Sequence, residues 1–303
     1  MKFLFWIIIL VHILVADAIT PIPASLPYDQ SKALLGKVLF YDTQLSSDGT
    51  VGCISCHDLS TGGADSRKVS IGAGGGKGNI QSPSVFNAVF NYRQFWNARA
   101  KDLREQIKGP LYNPVEHNLN VKTLEIKVNS NSYYKEQFTS IYGKQADEAS
   151  IIDVLVEFEK TLITPDSKFD KFLRKEITLS RDEMNGYRLF KTLGCISCHN
   201  GVNIGGNSLQ IFGVGNKYPW NKNIADRFSL TKNENEKNLF KVPTLRNIEL
   251  TAPYLHDGSV ATLKAAIKKI AYYNLGLNIE DKEAEQIEIF LKTLTGKKPK
   301  ILE

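Results

Sequence analysis

The chain is poor in the residue types that bind metals or cross-link a fold. Its 303 residues include 4 Cys, 5 His and 2 Met. Four cysteines are too few for a secreted scaffold that depends on disulfides. So few histidines and methionines also limit the number of metal ligands that the chain can supply.

Long apolar runs and basic clusters are also scarce. One long apolar run spans 3–15; Lys2 precedes it and Ala16-Asp17-Ala18 follows it. This pattern predicts a secretory signal peptide over residues 1–18, with an uncleaved membrane anchor as the alternative. The net charge is +6, but no basic cluster alternates with aromatic residues, so nucleic-acid binding is not expected.

The remaining sequence predicts a globular and mostly α-helical fold. Hydrophobic residues make up 42% and charged residues 23% of the chain, which excludes global disorder. Helical spacing of apolar residues is clearest at Ile151, Ile152, Leu155, Phe158 and Leu162.

Three further helices are predicted towards the C-terminus. Ser180 and Glu183 form the pattern of a capping box, Ser259 is predicted to cap a helix through Ile270, and 287–294 fits a final helix. The Gly- and Asn-rich stretches 71–80 and 200–207 are predicted loops.

A repeated motif divides the chain into two modules. Gly52-Cys53-Ile54-Ser55-Cys56-His57 recurs as Gly194-Cys195-Ile196-Ser197-Cys198-His199. Similar segments, 36–40 and 186–190, precede the two copies. Because the residue before a proline tends to leave a helix, Pro165 is the expected boundary between modules at 19–165 and 166–303.

The repeated Cys-x-x-Cys-His motif is the attachment pattern of c-type haem. Its two thiols add to the porphyrin vinyl groups, and the adjacent histidine becomes the proximal iron ligand. Zinc could be held by two Cys-x-x-Cys pairs, but zinc does not explain a histidine after each pair. A thioredoxin-like dithiol would need a βαβ pattern, which the sequence lacks. Two covalent haems are therefore predicted, attached at Cys53, Cys56, Cys195 and Cys198 and ligated by His57 and His199.

Few residues remain for the second axial position of each iron. Outside the predicted signal peptide and the two motifs, the histidines left are His117 and His256, and the methionine left is Met184. Met184 precedes the second motif on a predicted helix, where core packing is the simpler interpretation. At least one iron with an open position is therefore expected, and such an iron reacts with peroxide or oxygen.

Several ordered segments between residues 33 and 296 resemble the bacterial di-haem cytochrome c peroxidases. The wider family includes the di-haem enzyme that matures a tryptophan-derived quinone cofactor. The segments that carry the resemblance are Leu45-Ser46-Ser47, Gln94-Phe95-Trp96-Asn97-Ala98-Arg99-Ala100, Asn113-Pro114-Val115-Glu116, Phe169-Asp170, Val242-Pro243-Thr244-Leu245-Arg246-Asn247, Thr251-Ala252-Pro253-Tyr254-Leu255-His256-Asp257-Gly258 and Phe290-Leu291-Lys292-Thr293-Leu294.

The resemblance implies roles for the two modules, each a cytochrome c-like domain. The haem of His57 would react with peroxide, and the haem of His199 would receive electrons from a small donor protein, a cytochrome c or a cupredoxin. Trp96 would lie between the haems, while Gln106, Pro110 and Glu116 would form the peroxide pocket.

The same resemblance implies a calcium ion between the domains and a homodimer. Thr251 and Pro253 match backbone carbonyl ligands of the ion, and Gln81 stands where the family often has Asn.

Three positions depart from the family pattern. Ala73 stands where many members carry a histidine that caps the first iron, so this iron is expected to be open in the isolated protein. Ile270 stands where the second iron usually has an axial methionine. Tyr272 and Tyr273, two and three residues later, lie on other helix faces, so neither stands at the ligand position. His117 follows the pocket glutamate where members often have Met. A solvated or structural role is its first interpretation, followed by a pocket base or a gated iron ligand.

These observations together predict a periplasmic di-haem peroxidase. It would reduce hydrogen peroxide to water with electrons from the small redox protein. The alternatives are a di-haem oxidase acting on a protein or organic substrate and a di-haem electron carrier without substrate chemistry.

Overall fold

The computed structural model describes residues 18–303, so residues 1–17 of the predicted signal peptide lie outside it. The described part is mostly α-helical, which confirms the predicted fold class. The first half contains α1 (Gln30–Tyr41), α2 (Leu103–Tyr112), α3 (Val121–Ser130), α4 (Ser132–Tyr142) and α5 (Glu148–Thr161).

The second half adds five helices and a small sheet. The helices are α6 (Lys168–Leu173), α7 (Arg181–Thr192), α8 (Phe228–Thr231), α9 (Leu263–Leu275) and α10 (Asp281–Lys292). Strands β1 (Leu209–Ile211) and β2 (Leu239–Lys241) pair antiparallel, with Gln210 opposite Phe240. Among residues 18–303, no helix is both long and apolar enough to cross a membrane.

The helix starts follow local capping chemistry. The predicted capping box of α7 is confirmed, since the Ser180 backbone N–H donates to Glu183 Oε2 at 2.7 Å and Glu183 N–H donates to Ser180 Oγ at 3.3 Å. The predicted cap at Ser259 is wrong: Thr262 caps α9, because Ser259 is held in the preceding turn by Asp257. The last helix begins at Asp281, before the predicted residue 287.

The repeated segments before the two motifs form equivalent helix pairs. Helix α1 packs on α5, and α7 packs on α10. Gly36 and Gly186 make both contacts possible, since an added Cβ would lie 1.9 Å from the carbonyl oxygen of Val154 or of Gln286. One aromatic pair follows in each module, with ring centroids 5.2 Å apart: Phe40 with Phe158, and Phe190 with Phe290.

The duplication also covers the segments that lead into α2 and α9. Gln94 pairs with Ala100 in one turn, as Tyr254 pairs with Val260 in the other. The next residues, Phe95 and Leu255, have positive φ angles of 68° and 71°. Asp102 then caps α2 as Thr262 caps α9. This correspondence makes Trp96 equivalent to His256, and Pro110 equivalent to Ile270.

Two hydrophobic cores divide near the predicted module boundary. The first gathers buried residues between Leu35 and Leu162, and the second those between Phe169 and Leu294. The chain ends cross over, since Ile19 is buried in the second core while Ile301 and Leu302 pack against the first. The division into two domains at residue 165 stays a prediction.

A fully buried ion pair lies beside the second core. Arg246 Nη1 lies 2.7 Å from Asp170 Oδ1, and both side chains are 0% exposed. The remaining guanidinium nitrogens of Arg246, Nε and Nη2, donate to the carbonyls of Val202 and Thr20. A buried charge is costly without a partner. The pair therefore holds α6, which carries Asp170, against the loop that carries Arg246.

Candidate functional site

Each Cys-x-x-Cys-His motif contains a short 3-10 turn. The turns are Cys53–Ser55 and Cys195–Ser197. His57 Nδ1 lies 3.2 Å from the Gly63 carbonyl oxygen, and His199 Nδ1 lies 3.4 Å from that of Ile204. Since a carbonyl only accepts, Nδ1 carries the proton in both rings and Nε2 is left as the ligand atom.

Both histidines are suited to bind a metal as neutral rings. Burial lowers the pKa of His57 and of His199 to about 4, so neither is protonated at neutral pH. His57 lines one cavity, together with Cys53 and Cys56, and His199 lines a second, together with Cys195 and Cys198. The cysteine pairs are therefore not joined in one four-ligand zinc site, and residues 18–303 contain no cluster of three His, Cys, Asp or Glu groups that could hold a metal ion.

The second cavity suits an anionic, mostly apolar cofactor such as a haem. Its walls carry Phe190, Phe240, Leu263 and Ile287. Lys241, 6% exposed, also lines it, and burial lowers its pKa to about 8. Lys241 Nζ makes no hydrogen bond to the described protein. Every fully buried side-chain nitrogen or oxygen of the described residues has a partner, so Nζ is not fully buried and borders open space. The carboxylates of a porphyrin would supply the missing counter-charge.

The first cavity brings together the predicted peroxide-pocket residues. Glu116, Gln106 and Pro110 line the same cavity as His57. Asn113 Nδ2 donates to Glu116 Oε1 at 2.6 Å, while burial raises the pKa of this carboxyl above its usual range. Gln106 makes no side-chain hydrogen bond to the described protein, so its amide can serve a bound molecule. The sequence-predicted pair therefore shares one pocket with the first motif.

Trp96 lies in the other cavity, although it belongs to the first half of the chain. Its indole Nε1 donates to the Gln81 carbonyl at 2.8 Å, and its ring centroid is 6.2 Å from that of His256. The backbone N–H of Lys241 donates to the Trp96 carbonyl at 2.7 Å. Trp96 thus connects the two halves of the molecule beside the second motif.

The predicted calcium ligands line this second cavity as well. Gln81, Thr251 and Pro253 are among its wall residues. Gln81 is buried and donates from Nε2 to the Asp65 carbonyl at 3.3 Å, which leaves Oε1 without a protein donor. All three residues line this cavity, and the ion itself stays a prediction.

At the departures from the family pattern, neither Ala73 nor Ile270 can ligate iron. The Ala73 backbone N–H donates to the Glu116 carbonyl at 2.7 Å, so the alanine lies next to the pocket glutamate. Ile270 lines the second cavity. Met184 packs against the second core and does not line that cavity.

The two tyrosines near Ile270 also stay outside the second cavity. Tyr272 is 40% exposed, while Tyr273 packs on Phe212 and Tyr218. Neither lines the cavity wall. No methionine sulfur of the described residues therefore reaches the second cavity, and neither tyrosine replaces it.

The solvated interpretation of His117 is wrong. His117 is only 4% exposed, lines the first cavity, and places its Nδ1 2.5 Å from the Leu45 carbonyl oxygen. Burial lowers its pKa, so the ring is neutral near pH 7.

Sequence reasoning missed two buried charged residues, Glu159 and Lys241. Glu159 lines the first cavity without a hydrogen-bond partner, and burial raises its pKa to about 8. Segments 158–162 and 290–294 differ only at their second residue, Glu159 against Leu291. Aligning these two segments would have shown that Glu159 is an acid at a position where the second copy has an apolar residue.

Comparisons with known proteins agree with the geometry. The family model of the di-haem cytochrome c peroxidases matches residues 30–178. Cytochrome c551 peroxidase of Nitrosomonas europaea is 45% identical over 93% of this chain and 85% of its own length. The Pseudomonas aeruginosa protein of the same name is 38% identical over 91% and 82%.

A solved structure supports the fold over nearly the whole chain. It is a MauG-like protein associated with microbial copper homeostasis, with a TM-score of 0.81 and 26% identity over 94% of this chain and 95% of its own. The chain therefore belongs to the di-haem cytochrome c peroxidase family, which also contains MauG-like proteins. These matches confirm the predicted family and the predicted enzyme class, a peroxidase that works with two haems.

Proposed function

We propose that the protein reduces hydrogen peroxide to two molecules of water with two electrons and two protons. The observation that carries this proposal is the shared cavity of His57, Glu116 and Gln106. Peroxide cleavage requires an open iron position, a group that carries a proton between the two oxygens, and two electrons. Glu116 can be the proton carrier, and Gln106 can hold peroxide by hydrogen bonds. The relatives named as peroxidases support the same reaction.

The haems supply redox-active iron when they are bound, and the protein supplies proton transfer and orientation. Thioether bonds from Cys53, Cys56, Cys195 and Cys198 would hold them. Glu116 can carry a proton in the peroxide pocket, and burial raises the pKa of its carboxyl. Gln106 orients peroxide by hydrogen bonds but cannot take its proton.

Electrons would enter at the C-terminal cavity from a small donor protein, a cytochrome c or a cupredoxin. Trp96 is suited to connect the two haems, since it belongs to the first half and lines the second cavity. A calcium ion held by Gln81, Thr251 and Pro253 would stiffen the same region. The signal-like N-terminus supports a periplasmic location, and a homodimer follows from the family alone.

The first haem is proposed to be open in the oxidised protein, because Ala73 cannot ligate iron. We expect an electronic or EPR spectrum with a high-spin component before any reduction. Two low-spin, six-coordinate haems would contradict this expectation.

The second haem is proposed to lack a methionine ligand. Loss of a thioether ligand lowers a haem potential, so this haem should titrate lower than a His/Met haem does. A high potential in a redox titration would mean that a thioether such as Met184 reaches the iron after all.

Steady-state turnover separates the peroxidase from its alternatives. A peroxidase oxidises a reduced small cytochrome c when peroxide is added. An electron carrier shows neither turnover nor a spectral response to peroxide, whereas a di-haem oxidase responds to peroxide and then oxidises an added organic or protein substrate.

A further inference from the structure

His117 is held in the wall of the peroxide pocket by three backbone contacts. Its backbone N–H donates to the Pro110 carbonyl at 3.2 Å, and its own carbonyl accepts from Ser47 N–H at 2.8 Å. Its ring Nδ1 lies 2.5 Å from the Leu45 carbonyl oxygen. The imidazole is therefore fixed between α2 and the turn that precedes the first motif.

The same contacts determine which ring nitrogen carries the proton. A carbonyl oxygen only accepts, so Nδ1 is the protonated nitrogen and Nε2 holds the lone pair of the neutral ring. Nε2 of His117 has no hydrogen-bond partner in the protein. Among residues 18–303, every fully buried side-chain nitrogen or oxygen does have a partner. Nε2 must therefore border open space, and the ring lines the first cavity.

The titratable groups around this cavity leave the proton-accepting role open. His57 has its Nε2 assigned to iron, and burial keeps Cys53 and Cys56 protonated until they form thioethers. Glu159 and Glu116 are carboxyls whose pKa values burial raises, which suits them to carry protons as acids. His117 is the neutral nitrogen base of this set.

We propose that His117 is a proton-accepting catalytic residue of the peroxide pocket. This inference rests on the proposed peroxidase function. One proton leaves peroxide for His117 Nε2, and one passes from Glu116 to the departing oxygen as the O–O bond breaks. Two electrons from the donor protein, delivered one at a time, and two protons from solvent complete the reduction to two molecules of water and leave His117 and Glu116 in their starting protonation states.

The test compares ligands that must lose a proton with one that has none. His117→Asn keeps an amide N–H near the position of Nδ1 for Leu45 but has no atom at Nε2. His117→Gln places a non-basic amide near Nε2. Stopped-flow measurements on the haem-loaded proteins follow hydrogen cyanide binding to the oxidised form, carbon monoxide binding to the reduced form, and the reaction with peroxide.

We expect both variants to bind hydrogen cyanide and to react with peroxide about a hundredfold more slowly, the loss typical of a missing general base. Carbon monoxide has no proton to lose, so its rate should stay within about twofold of wild type. Equal cyanide rates in wild type and both variants would overturn the proposal. A change from a low-spin to a high-spin spectrum in His117→Asn would overturn it too, since His117 would then be an iron ligand.

Carbon monoxide and haem content also detect a damaged pocket. If His117→Asn loses haem or its carbon monoxide rate changes, His117→Gln decides by the same comparison. Failure of the peroxidase function itself is distinguishable: wild type would then show no peroxide-dependent oxidation of reduced cytochrome, while the cyanide comparison would still report whether His117 accepts protons.

Discussion

At the scale of single residues, Glu116 and Gln106 differ in what they can do with a proton. Both line the first cavity, but only the carboxyl can give up and take up a proton, since an amide does neither. Its hydrogen bond from Asn113 favours the charged form, while burial favours the neutral form and prevails. Glu116 is therefore set to change protonation state during turnover.

Replacing this carboxyl should slow peroxide reduction. We expect Glu116→Gln to lower kcat/KM for peroxide by about a hundredfold or more, because general acid–base catalysis is lost. Steady-state assays with reduced cytochrome measure the effect. Glu136→Gln, at an exposed position of α4, is the matched control and should behave as wild type. A Glu116→Gln enzyme with full activity would remove the carboxyl from the mechanism.

Glu159 should make stability depend on pH. Its pKa is raised to about 8 in the folded protein, against 4.5 in an unfolded chain. Between these values the folded state holds a proton that the unfolded state releases, so the contribution of Glu159 to stability is greatest below about pH 4.5 and falls as pH rises towards 8.

Denaturant titrations at pH 5 and pH 8 measure this dependence. Wild type should lose up to about 4 kcal/mol more than Glu159→Gln between the two pH values. The same pH dependence in both proteins would mean that the folded environment does not shift Glu159.

Sequence alone identified the haem-attachment residues and several of the polar residues of the first cavity, but not all their roles. His57, Glu116 and Gln106 follow from a motif and from family blocks. The burial of His117 does not, because it depends on the carbonyls of Leu45 and Pro110 from distant segments. The role of Glu159 was not predicted for a similar reason. Helical spacing of apolar residues predicts that α5 is a core helix, but it does not show which face of the helix lines a cavity.

At the scale of elements, the duplicated helix pair explains the position of both motifs. Gly36 on α1 and Gly186 on α7 allow close backbone contact with α5 and α10. A turn that follows α1 and a turn that follows α7 each present two cysteines and a histidine to a cavity. Contact between α1 and α5 therefore supports the first site directly.

A methyl group at Gly36 should separate this helix pair. Gly36→Ala places a Cβ 1.9 Å from the Val154 carbonyl oxygen. Overpacking of this kind costs about 1–3 kcal/mol, which exceeds the gain in helix propensity from alanine. Gly78→Ala is the control, because the nearest atom to its added Cβ is 3.9 Å away. A thermal midpoint of Gly36→Ala equal to that of wild type and Gly78→Ala would contradict the close contact.

Helix positions were predictable where the capping chemistry was local. Ser180 and Glu183 start α7 as expected, because both bonds lie within four residues. The start of α9 was misplaced because Ser259 competes with Thr262, and the turn around Asp257 decides between them. The small sheet was not predicted, since each strand has only three residues.

At the scale of the whole molecule, the two cavities are formed by equivalent elements but are lined by different side chains. The first has Glu116, Gln106, His117 and Glu159 in its wall, and the second has Trp96, Lys241 and an isoleucine at the usual methionine position. The first is equipped to move protons, and the second to hold an anionic cofactor beside a tryptophan. This asymmetry within a duplicated fold is consistent with the proposed reaction site in the first half and the proposed electron-transfer site in the second.

In the proposed reaction, one protein with two haems delivers two electrons to one peroxide. The most direct measurement is an anaerobic titration of the fully reduced protein with hydrogen peroxide, followed by absorption spectroscopy. We predict that one equivalent of peroxide re-oxidises both haems. Spectra that stay reduced after one equivalent, or that need two equivalents for complete oxidation, would contradict the account.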